Sequence, residues 1–112
     1  MENIRVLLVN EPRAYREVMA AALRQLRSDV DVTVVEPEEL DATLEGINPH
    51  VVFCNIPTLK LEARDCCWVA MYPQGRDHAV VCVHGERTRI ESLQLDQDLG
   101  LLDDPHCSAK SA

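Results

Sequence analysis

IRVLLVNE at residues 4–11 and VVFCN at residues 51–55 decide how this chain folds. Each is an apolar run that stops at a polar side chain, Asn10-Glu11 in the first and Asn55 in the second. Such runs, without polar alternation, are what strands covered on both faces of a parallel sheet require. The polar residues that end them then sit at the carboxyl ends of the strands, the edge where open α/β sheets place their chemistry.

Working outward, Glu11-Pro12 opens a helix, because proline at the first helical position gives up an N–H that has no helical partner anyway. Tyr15, Val18, Met19, Ala22, Leu23 and Leu26 recur at three- and four-residue spacing and predict its apolar face. Arg13, Arg16, Glu17, Arg24, Gln25 and Arg27 fall largely on the other side. Ser28-Asp29 ends the helix, and residues 32–35 form a second strand. Pro37 begins a second helix, residues 38–44, with acidic side chains in its first turn and Gly46 as terminator. Asn48-Pro49 then turns the chain into the strand at 51–54.

Residues 56–78 read two ways. Leu59, Ala63, Cys66, Cys67, Ala70 and Met71 suit a helix, while residues 66–72 also suit a strand. Residues 79–83 form a fourth strand, 87–95 a short helix and 99–102 a fifth strand. Alternating strands and helices with short connections predict a three-layer, doubly wound parallel sheet. Residues 1–104 make one domain, and residues 105–112 lack apolar periodicity and form a flexible tail.

The chain has 112 residues, 46% of them hydrophobic and 27% charged, the balance of a globular domain with one core. Its net charge of −8, from 19 acidic and 11 basic residues, would repel a phosphate backbone and argues against direct nucleic-acid binding. No apolar run approaches a membrane span, and the amino terminus has no secretory pattern, so a cytoplasmic location is expected. The five cysteines (Cys54, Cys66, Cys67, Cys82 and Cys107) contain no CxxC pair, which suggests neither a zinc ribbon nor a disulfide framework.

Three segments carry a resemblance. IRVLLVNEPRAYREVMAAAL at 4–23 resembles the start of a response-regulator receiver domain, where a strand ends in two acidic residues and a helix follows. INPHVVFCNIP at 47–57 resembles the receiver segment that leads into the phosphorylated aspartate. DLGLLDDP at 98–105 resembles the last receiver strand, with its glycine, lysine and proline. The resemblance covers residues 4–105 and implies a flavodoxin-like fold with strand order 2-1-3-4-5, truncated because no last helix follows.

The family transfers a phosphoryl group to an aspartate. A magnesium ion on the acidic pair neutralises charge, and a lysine and a hydroxyl contact the phosphoryl oxygens. Asn10 and Glu11 fall at the acidic-pair positions of this sequence, and Asn55 falls at the acceptor. His84 falls at the hydroxyl position and Asp104 at the lysine, or Asp103 if that match is off by one. A carboxamide is a poor nucleophile, and an aspartate would repel the phosphoryl group that the lysine should hold. The resemblance with these departures implies a pseudo-receiver that is not an enzyme and carries no cofactor. It would act through protein contacts in bacterial signalling or transcriptional regulation.

The missing last helix leaves Val81, Val83, Leu99 and Leu101 as interface candidates, for a homodimer or another signalling protein. An alternative reading is a small-ligand or divalent-cation sensor, with Glu11 and Asp104 as the candidate metal carboxylates beside Asn10 and Asn55. A third reading pairs Cys54 with His84 as nucleophile and base. It is disfavoured because Cys54 points into a covered face and a buried thiol is inert.

Overall fold

The computed structural model describes residues 3–71, 78–83 and 85–91. Six strands lie in one sheet of order β2-β1-β3-β4-β5-β6. They are β1 (Ile4–Leu8), β2 (Val30–Val34), β3 (Val51–Cys54), β4 (Cys67–Ala70), β5 (Ala79–Val83) and β6 (Glu86–Ile90). β2, β1, β3 and β4 run parallel. β5 turns back antiparallel to β4, and β6 turns back again on β5.

Helices cover both faces, as strands apolar on both sides demand. On one face, Met19, Ala20 and Leu23 of α1 (Arg13–Leu26) pack into a cluster with Val6, Leu8, Val51, Phe53 and Val69. On the other, Leu40 and Leu44 of α2 (Leu40–Ile47) and Leu61 of α3 (Leu59–Ala63) meet Leu7, Val9, Val52 and Trp68. The expected α/β class with three layers is therefore present. The expected order of five parallel strands is not, because the sheet is mixed and has six strands among the described residues.

The differences have local causes. Within the 66–72 run Cys67–Ala70 is β4, so the strand expected fourth, at 79–83, is fifth. Residues 87–90 of the segment expected as a helix belong to β6, where Thr88 and Ile90 favour a strand and pairing with β5 holds it. Two residues link Val83 to its partner Glu86, and Gly85 takes the left-handed φ of 84°. A 3-10 turn (Pro37–Glu39) precedes α2, with Glu36 and Glu39 bonding reciprocally to each other's backbone N–H. Asn48 rather than Gly46 ends α2, in the left-handed conformation at φ 55°. The expected fifth strand and the tail from residue 105 lie outside the described residues.

Cys54, Cys66 and Cys82 are free thiols. Cys67 is disulfide-bonded, a single bridge that the cysteine spacing does not suggest. No helix among the described residues is long and apolar enough to cross a membrane.

α1 is rotated from its expected orientation. It buries Arg16, Met19, Ala20 and Leu23, and leaves Tyr15, Val18 and Leu26 exposed. The small Ala20 lets the helix approach the sheet, and Arg16 is carried inward to 1% exposure. Its Nη2 donates to Glu36 Oε2 at 3.0 Å, and Nη1 lies 4.0 Å from Glu11 Oε2. Nε and Nη1 have no hydrogen-bond partner among the described residues. A buried guanidinium with one close carboxylate is worth little net stability, but removing the carboxylate leaves the charge uncompensated. We expect Glu36→Ala to destabilise the chain by about 2–3 kcal/mol and Arg16→Met by less than about 1 kcal/mol. Urea unfolding of the two variants measures both, and equal losses would contradict this reading of the pair.

Candidate functional site

β1 and β3 are neighbours, so the carboxyl-end residues singled out from sequence come together at one edge of the sheet. Val9 N–H donates to Phe53 C=O at 2.9 Å, the last backbone rung between these strands before both chains turn away. Beyond it, Asn55 continues the ladder with its side chain. Glu11 N–H donates to Asn55 Oδ1, and Asn55 Nδ2 donates to Met71 C=O at 2.9 Å. Met71 N–H already donates to Cys54 C=O at 2.7 Å. The carboxamide thus presents the donor and acceptor of a peptide group and ties the segments following β1 and β4 to the end of β3.

Asn10 does not face this edge. It is fully buried, and its Nδ2 makes only a weak 3.6 Å contact with Met19 Sδ under α1. Its Oδ1 has no hydrogen-bond partner among the described residues. Glu11 stays exposed, with its carboxylate toward Arg16. Of the expected acidic pair, one side chain is in the interior and one is at the surface. No group of three or more His, Cys, Asp and Glu residues able to hold a metal ion occurs among the described residues.

The strand expected to lead to the fourth position runs opposite to the expected direction. Trp68 pairs with Cys82 and Ala70 with Val80, so β5 enters at the Asn55 edge and leaves at the opposite one. Val83 therefore lies far from this edge, and it is Ala79 that lies close to it. His84 itself, like Asp103 and Asp104, lies outside the described residues. Sequence reasoning gave no role to His78. It precedes β5 and is buried at 8% exposure beside the edge that holds Asn55 and Met71. Only the antiparallel direction of β5 brings it there, and no local pattern announces that direction.

A cleft of about 220 Å³ opens beside Asn55, lined by Val9, Glu11, Pro37, Leu40, Cys54 and Thr58. Thr58 caps α3 by accepting from Leu61 N–H at 3.2 Å and donates to Asp41 Oδ1 at 2.6 Å, which fixes the loop after β3. That loop and the start of α3 offer two large apolar side chains to solvent, Ile56 at 59% and Leu59 at 85% exposure. Burial above all, and then the charges of Cys66 and Glu62, pushes the Cys54 thiol up to about 12, so it is protonated at neutral pH. Burial likewise pushes Cys66 up to about 11. Among the interface candidates, Val81 and Val83 are half-buried against the α1-side core. Leu99 and Leu101 lie outside the described residues.

No protein family, curated protein or solved structure matches the chain.

The Asn55 bridge gives a direct test. Aspartate keeps the acceptor for Glu11 N–H but loses the donor to Met71, placing a carboxylate oxygen against a carbonyl. We expect Asn55→Asp to lower stability by roughly 1–3 kcal/mol, the range for an unsatisfied buried polar group. Thermal and urea unfolding measure it, and a neutral substitution would show that the bridge holds nothing.

Proposed function

We propose that the chain is a phosphorylation-independent pseudo-receiver, a protein-interaction module of bacterial signalling or transcriptional regulation. The reading rests on the resemblance of its three segments to receiver domains and on the parallel β2-β1-β3-β4 half of the sheet, which suits a flavodoxin-like origin. One observation carries it furthest: the side chain at the acceptor position is an amide with both polar atoms engaged by backbone groups. A group so engaged is neither a nucleophile nor free to meet a phosphoryl donor.

In this reading the edge that takes a phosphoryl group in receivers is a contact surface. The Asn55 bridge and the Thr58 cap hold the loop after β3, and Ile56 and Leu59 project from it and the start of α3 beside the small cleft. Apolar side chains held on a fixed loop are suited to burial against another signalling protein.

Incubation with acetyl phosphate and magnesium, read by intact-mass spectrometry, is expected to give no phosphoryl adduct. Asn55→Asp is expected to stay unlabelled as well, because Lys60, the one lysine among the described residues, is paired with Glu45. An acid-stable, base-labile adduct on the native chain within residues 51–58 would overturn the proposal.

A further inference from the structure

The two outer strands of the sheet end it differently. β2 pairs with β1 alone, and no other strand among the described residues occupies its outer edge. Ile4 N–H donates to Asp29 C=O at 2.8 Å, and Val35 N–H donates to Leu8 C=O at 3.1 Å. In a parallel pair this alternation points the backbone groups of odd-numbered residues 29–35 toward β1. Those of Val30, Val32 and Val34 then face outward. The Arg24 guanidinium confirms the phase by donating to Val32 C=O at 3.1 Å from outside the sheet. Among the described residues only the Arg24 side chain reaches over this edge, and clefts of about 510 and 550 Å³ open along β2 beside it.

We propose that this edge pairs with the same edge of a second copy, β2 antiparallel to β2 about a two-fold axis through Val32, giving one continuous sheet. It names a partner for the interaction module above, resting on that reading for its biological use and on the sheet alone for its geometry. The residues are self-complementary in this register. Val30 faces Val34 of the second copy, Val32 faces Val32, and Asp31 faces Thr33, so valines meet valines and no like charges oppose. The outward N–H and C=O groups of Val30, Val32 and Val34 are those an antiparallel pair uses in its hydrogen-bonded positions. Val32 C=O can keep Arg24, since a carbonyl has two lone pairs.

The other edge fails the same test. A two-fold through Thr88 of β6 would set Arg87 directly against Arg89 twice, a like-charge pairing that protects an edge from association. Five residues of strand pairing form a small interface, so the dimer is expected to be weak and concentration-dependent.

Sedimentation equilibrium between about 10 μM and about 1 mM spans the dissociation constants a small interface gives. The average mass should rise from 12.6 kDa toward twice that value. Thr33→Arg would face Asp31 of the second copy twice and should tighten the dimer about threefold or more, while Thr33→Asp should loosen it by a similar factor. Val32→Pro removes an outward N–H and leaves the pairing with β1 intact, so it should leave a folded monomer. A wild type monomeric even at about 1 mM, the top of that range, would overturn the proposal. So would a dimer insensitive to both Thr33 variants, or one lost in Val81→Lys and kept in Val32→Pro, which would place the interface on the β5 face. None of these results bears on the phosphorylation test, so the two proposals fail separately.

Discussion

The constraint on which the carboxyl edge of this fold depends is the peptide-like bridge made by Asn55. Where the backbones of β1, β3 and β4 diverge, their next N–H and C=O groups would lose their ladder partners. The Asn55 carboxamide supplies one acceptor, to Glu11 N–H, and one donor, to Met71 C=O. A carboxamide offers both on two atoms set apart as in a peptide group; a hydroxyl must do both from one oxygen, a carboxylate only accepts and an aliphatic chain does neither. The residue type that rules out acyl-phosphate chemistry is therefore the one this edge requires.

The surroundings follow the same logic of structure taking over polar positions. Asn10 is turned into the interior beneath α1, where a metal ligand could not serve an open site. Arg16 brings a positive charge under the helix and is matched by Glu36, with Glu11 at 4.0 Å. These groups bind the start of α1 to the segment after β2. Beside the exposed Glu11, the large side chains open near this edge among the described residues are apolar, Ile56 and Leu59, as the proposed partner surface needs.

Much of the parallel half was legible in the sequence, because its signals are local. Continuous apolar runs marked β1 and β3 within a residue and Pro12 marked the start of α1, while of the polar residues after the runs Glu11 and Asn55 meet at one edge and Asn10 turns inward. Two things were not legible. The face of α1 was ambiguous because Tyr15, Val18, Ala22 and Leu26 make one apolar stripe while Met19, Ala20 and Leu23 make another. The sheet chose the second, with Arg16 in tow. The reversal at β5 was hidden because a strand's direction depends on which neighbour it pairs with, and residues 66–72 could serve as helix or strand. That single ambiguity set Val83, the end of β5, at the opposite edge and brought His78 beside Asn55.

Native-state hydrogen exchange at the Glu11 amide tests the bridge most directly. Glu11 is exposed, so without the Asn55 acceptor its N–H should exchange as freely as that of a loop residue. The account requires this amide to be protected in the native chain, and Asn55→Ala to raise its exchange rate by roughly tenfold or more, the equivalent of one modest hydrogen bond. An unprotected Glu11 amide in the native chain, or one whose rate is unchanged by Asn55→Ala, would contradict it.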